Sequence, residues 1–246
     1  MFRLLVSLLV IAFMSFPLIS QEIVTDRPDQ TESATAVPKN AFQLESGILV
    51  SHEGEDFREI LSPTNLFRYG LFENLELRLT YDFMQLKSDE KRISQTGFGD
   101  IQAGFKYQFY RNGKTEIAIL SHLVFPSGTG ESFSQGSYAS INKLAIAHSL
   151  SDRFNLSYNL GYDYFDKGVF TYSLALGIGL NDKIGYYIES YGEADNEAHL
   201  SNMDTGFTYL LNDTLQFDFS FGTGINVDMN YLSIGVSWLI LDKNEN

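Results

Sequence analysis

The chain has 246 residues, a formal net charge of -14, 20 Phe, 14 Tyr, one Trp and no cysteine. Such acidity argues against nucleic acid and anionic head groups as attractive partners. Without cysteine, stability must come from packing and hydrogen bonds, and lipidation of a lipobox cysteine is excluded.

Residues 1–20 read as an export signal: Met1-Phe2-Arg3 supplies a positive start, 4–16 an apolar run, and Pro17-Leu18-Ile19-Ser20 a cleavage zone. Losing Arg3 with it moves the net charge from -14 to -15. Residues 21–38 form a polar N-terminal segment, a candidate periplasmic plug. Residues 39–246 read as one all-β domain with a short C-terminal tail.

From there the dominant period is two. Phe154-Asn-Leu-Ser-Tyr-Asn-Leu-Gly-Tyr-Asp-Tyr164 and Leu215-Gln-Phe-Asp-Phe-Ser-Phe-Gly222 each present one greasy and one wet face. Strands of this kind are expected over 42–50, 59–69, 75–86, 98–109, 115–125, 138–149, 154–164, 169–180, 184–191, 200–211, 215–222 and 231–240, about twelve in all. Short turns at 70–74, 111–114, 151–153, 181–183 and 212–213 alternate with mostly longer loops at 51–57, 87–95, 126–135, 193–199 and 223–230. The exception is 166–168. This pattern, with about ten alternating residues per segment, predicts a transmembrane antiparallel β-barrel of the Gram-negative cell outer membrane. A soluble β-sandwich would also alternate. Against it stand aromatic residues near strand ends, such as Tyr81 and Phe83 or Tyr162 and Tyr164, where interfacial girdles belong. Twelve strands bring both termini to the periplasmic side, with tight turns there and the longer loops outside.

If the greasy faces meet lipid, the charged strand residues face the lumen. The candidate lumen and plug residues are Asp26, Arg27, Asp29, Glu32, Glu45, Arg68, Glu76, Arg78, Asp82 and Lys106. Glu116, Lys143, Asp163, Glu189, Asp204 and Asp218 fall on the same side. Mixed signs predict paired networks. Asp26, Arg27, Asp29 and Glu32 precede the first strand, so their segment can fold into the mouth and pair with Arg68 and Arg78. Arg27 would then reach Glu45 or Glu76; a solvated tail is the alternative.

No catalytic residue, metal ligand or cofactor is expected. The four histidines lack metal spacing, and the Asp-x-x-Asp-x-x-Glu run lacks the ligand density of a calcium loop. Ser121-His122 and His148-Ser149 are neighbours on strands, and strand neighbours face opposite sides.

Thr25-Asp-Arg-Pro-Asp-Gln-Thr-Glu-Ser33, then Val37-Pro38 and Phe42-Gln-Leu-Glu-Ser-Gly47, resemble the start of the MetA-pathway of phenol degradation family of outer-membrane transporter-like proteins. Arg68-Tyr-Gly70 leading into Glu76-Leu-Arg78 is similar to that family's second hairpin, and Phe98-Gly-Asp100 to its glycine-aspartate strand start. The resemblance is strongest over 25–100 and architectural beyond. It implies a β-barrel channel or transporter for small solutes, hydrophobic or aromatic ones included. Expected partners are outer-membrane lipid, the solute and the barrel-assembly machinery. A barrel hydrolase acting on lipid and a structural or adhesive barrel with a closed lumen are the alternatives. One departure is the tail 242–246 after Trp238, where barrel chains commonly end on an aromatic residue.

Overall fold

The computed structural model describes residues 22–54, 56–88 and 90–241. The export signal expected at 1–20 and the tail 242–246 lie outside the described residues. The β-structure comprises β1 (Phe42–Glu53), β2 (Phe57–Phe72), β3 (Leu75–Thr80), β4 (Phe83–Ser88), β5 (Ile93–Phe98), β6 (Ile101–Arg111), β7 (Thr115–Phe125), β8 (Ala139–Ser149), β9 (Phe154–Phe165), β10 (Lys167–Gly179), β11 (Ile184–Ala194), β12 (His199–Asn212), β13 (Leu215–Gly224) and β14 (Met229–Ile240). From β6 to β14 each strand pairs antiparallel with its successor; β14 pairs with β1, and β1 with β2, closing the sheet. β3 with β4, and β5 with β6, are the halves of two interrupted staves. The result is a closed twelve-stave barrel.

The interruptions correct the expectation of unbroken strands at 75–86 and 98–109. Leu66 pairs with Thr80 on β3, but Leu61 pairs with Met84 on β4, so the register slips by one residue around Ser62-Pro63. A second slip falls at Gly99-Asp100, since Thr80 pairs with Gln102 while Phe83 pairs with Phe98. Proline offers no ladder N–H, which suits Pro63 to such a bulge. A one-residue slip turns the following side chains to the other face. Above the breaks, Glu59 and Leu61 therefore turn inward and line a cavity with Met84, which keeps the face of Arg78 and Asp82.

The connections also differ from expectation. Most of the presumed long loops continue as hairpin strands, and β9 and β10 meet at Asp166 alone. The substantial loop is 126–138, between β7 and β8.

The barrel is inside-out relative to a soluble protein. Phe105, Ile119, Leu160, Leu174, Ile188, Phe207, Phe219 and Ile234 are exposed outside, whereas Gln43, Glu45, Arg68, Glu76, Arg78, Lys106, Glu189 and Asp204 are buried inside. A belt of exposed apolar side chains this extensive requires lipid around it. Phe219, paired with Phe207 and Ile234, sits within that belt. Phe219→Arg should cost about 2–4 kcal/mol near mid-bilayer, while Phe219→Leu should be nearly neutral. Denaturant titration of the two variants refolded in lipid vesicles checks this, and equal stabilities would contradict the outward assignment.

Candidate functional site

The segment before β1 runs inside the barrel. It starts at the short-turn end, where Ile23 N–H donates to the Asp213 carbonyl (2.8 Å), and leaves at the same end, where Lys39 bridges Gly70 and Asn40 N–H donates to the Gly70 carbonyl (2.8 Å). A Cβ on Gly70 would fall 1.9 Å from the Pro38 carbonyl oxygen, so only glycine admits the chain there. With no ladder of its own, this backbone needs side-chain partners from the wall. Glu45 accepts from Asp26 N–H (3.0 Å) and Arg27 N–H (2.9 Å), and Glu76 accepts from Val37 N–H (2.7 Å). Gln43 Nε2 donates to the Val24 carbonyl (2.9 Å), and Arg68 Nη2 to the Thr35 carbonyl (3.0 Å).

Register explains the charges. Arg68 and Arg78 are direct cross-strand partners on β2 and β3, and Lys106 on β6 lies opposite Glu76. Three cations are thus crowded on one patch of wall, and like charges directly opposite one another destabilise a sheet. The wall supplies Glu76, bound bidentately by Arg68 at 2.9 Å through both Nε and Nη2, and Glu45, 2.8 Å from Arg68 Nη1. The segment supplies the rest. Asp26 lies 2.5 Å from Arg78 Nη1, 2.8 Å from Lys106 Nζ and 3.3 Å from Arg68 Nη1, and Glu32 lies 2.8 Å from Arg78 Nη2. Burial alone would raise the Asp26 carboxyl, but Arg68, Lys106 and Arg78 outweigh it and hold the group well below the usual carboxylate range. Ser33 N–H also donates to Asp26 (2.8 Å), folding the segment back on itself.

Arg27 does not send its side chain to Glu45 or Glu76. Its guanidinium enters a notch between Gly47 and Gly235, cross-strand partners on β1 and β14. A Cβ on either would come within 2.5 Å of guanidinium atoms. There Nη2 donates to Asp218 Oδ1 and Ser233 Oγ (2.9 Å each), and Nε to Asp218 Oδ2 (3.2 Å). Only the Arg27 backbone N–H meets Glu45.

Asp29 departs from expectation in the other direction. It faces Glu189 and Asp204, cross-strand partners on β11 and β12, instead of a basic group. Burial, then the fields of Glu189 and Asp204, push its carboxyl well above the ordinary range. Neighbouring Gln30 N–H donates to Glu189 (2.7 Å), and the Thr31 hydroxyl bonds Glu189 and Ser173. Glu32 N–H donates to Asn159 on the far wall (2.7 Å), so the segment crosses the full lumen.

Of the ten residues expected from sequence, Asp26, Arg27, Glu32, Glu45, Arg68, Glu76, Arg78 and Lys106 converge on this anchoring. Asp29 joins an acidic cluster. Asp82, at the β3–β4 break, accepts from Asn65 N–H (3.0 Å) and lines two cavities. Asn159, Thr31 and Ser233 were not legible as partners, because only the path of the segment brings them into use. His122 accepts from Arg78 Nε (3.0 Å), whereas Ser121 bonds Asn142 at the exposed surface, so this Ser/His pair is divided between the two faces. Above the segment a cavity of about 310 Å³ is lined by Arg27, Gln30, Glu32, Asp82, Gln102 and Leu120, among others.

No curated protein sequence matches the chain. Among solved structures, the COG4313 outer membrane channel from Pseudomonas putida F1 superposes with a TM-score of 0.70 at 12% identity, covering 84% of this chain and 98% of that one. The KdgM porin in complex with disordered oligogalacturonate gives a TM-score of 0.56 at 10% identity over 80% and 98% of the two chains. The NanC porin gives 0.56 at 10% over the same shares. At these identities the likeness establishes the fold, that of outer-membrane barrel channels. Residues 25–238 match the family described as "Putative MetA-pathway of phenol degradation", and the chain belongs to that family.

Proposed function

We propose that the protein is an outer-membrane channel for small solutes, hydrophobic and aromatic ones among them, and that residues 22–38 are a plug closing the periplasmic part of its lumen. The observation that carries this reading is the division of the lumen. Its lower part is crossed by a segment anchored through buried charges, while cavities of about 310 and 290 Å³ lie above it. A structural barrel has no need of a polar lumen holding adjoining cavities. Family membership supports the aromatic part of the reading, and the class implies delivery by the barrel-assembly machinery.

The test is initial uptake of radiolabelled phenol, supplied at micromolar concentration, by intact porin-depleted cells that produce the protein. Uptake severalfold above that of cells lacking it is expected. Equal uptake, with the folded barrel present in the outer membrane, would contradict a channel role and favour the closed structural barrel.

A further inference from the structure

The motif Phe98-Gly-Asp100 takes no part in the plug. Asp100 instead clamps the loop 126–138. Its Oδ1 accepts from Ser127 N–H (2.8 Å) and Gly128 N–H (2.7 Å), and its Oδ2 from Gln135 N–H (2.7 Å). The loop also serves the edge of β5, with Thr129 N–H donating to the Phe98 carbonyl (2.9 Å) and Thr129 Oγ1 accepting from Phe98 N–H (3.2 Å). A carboxylate gathering three amides of one loop makes a persistent fold. Thus held, the loop presents Phe133 inward. The ring is buried on Gly97, where a Cβ would fall 2.5 Å from it.

Beneath this lid lies a cavity of about 290 Å³. Leu61, Met84, Val124, Phe133 and Phe165 supply its apolar walls, and Glu59, Asp82 and Gln102 its inner polar groups. Among the described residues, its lining contains no lysine or arginine. Asp82 and Gln102 also line the central cavity, so the two spaces meet at these side chains.

We infer that this cavity is a capture subsite for a single aromatic ring bearing an O–H or N–H donor, and that it discriminates against aromatic carboxylates. The inference rests on the channel reading and assigns its outer binding step. Room is sufficient, since a cavity of about 150 Å³ accommodates benzene. Two phenylalanine rings and a methionine sulfur favour an aromatic guest. The carboxylates of Glu59 and Asp82 accept hydrogen bonds from a donor and repel an anion, with no cation in the lining to offset that repulsion. Asp82 then passes the donor inward, because it faces both spaces.

The test measures binding to the purified full-length protein in detergent, by calorimetry, with phenol and benzoate as probes. Saturable phenol binding is expected, with benzoate weaker by about tenfold or more. The double variant Glu59→Gln, Asp82→Asn preserves shape and should narrow the phenol-to-benzoate ratio severalfold. Phe133→Ala should weaken phenol binding while the Asp100 clamp keeps the loop in place. Heat-modifiable migration shows that each variant is folded. Equal affinity for the two probes, no binding of either, or phenol binding indifferent to both variants would overturn the inference. Phenol bound with these preferences but not taken up by cells would instead sink only the channel reading.

Discussion

Asp26→Asn will strip protection from the N-terminal segment, whereas Asp29→Asn will not. Asp26 is the only carboxylate of the segment that touches Arg68, Arg78 and Lys106 together. Neutralising it leaves three cations against Glu45, Glu76 and Glu32, the last of which touches Arg78 at 2.8 Å but stands 4.0 Å from Lys106. Breaking a buried pair by removing one partner costs about 3–5 kcal/mol. Here the loss falls first on docking of the segment, because the barrel's ladder hydrogen bonds do not depend on it and local opening is the cheaper response. Native-state hydrogen exchange of peptides covering 22–38 should therefore accelerate by about a hundredfold or more in Asp26→Asn. Asp29 is surrounded by Glu189 and Asp204, which already disfavour its charge, so Asp29→Asn should leave protection unchanged or raise it. Equal loss in the two variants would show that the segment is held by shape alone.

How far the sequence disclosed this arrangement follows from what kind of signal each part carries. Alternation over 154–164 and 215–222 survives any neighbour, because a lipid-facing residue must be apolar whatever it packs against. The twelve staves and the inward set of charges were therefore readable. So was the complementarity of the segment's acids with the wall's arginines, at least as chemistry: Asp26 and Glu32 on one side, and Arg68 and Arg78 on the other. Partner identity was not readable. The side chain of Arg27 reaches Asp218, which lies 191 residues away in sequence, and the notch that admits it exists only because Gly47 meets Gly235 when β14 closes on β1.

The register slips at Ser62-Pro63 and Gly99-Asp100 hid more. Counting by twos from Arg68 would turn Glu59 toward lipid, yet the bulge brings it inside with Leu61. Glu59 and Leu61 enter the outer cavity only through this inversion, so period-two reading could not assemble its full wall. Phe98-Gly-Asp100 looked like the opening of a strand because it resembles the family's glycine-aspartate strand start. Its work as a clamp depends on the amides of a loop some thirty residues later, about which local sequence says nothing.

The central claim, that the segment shuts the periplasmic side of the lumen, is most directly tested by deleting Glu22–Ser33. The segment crosses from the patch of Arg68, Arg78 and Lys106 to Asn159 and Glu189 on the opposite wall. No ladder hydrogen bond of the barrel passes through it. The truncated chain should therefore remain a heat-modifiable barrel, water should replace Asp26 and Glu32 around the exposed cations, and the bore should widen by the cross-section of the backbone removed. Single-channel conductance in planar bilayers should rise severalfold over the intact protein at the same salt concentration. A folded deletion variant whose conductance equals that of the intact chain would contradict the account.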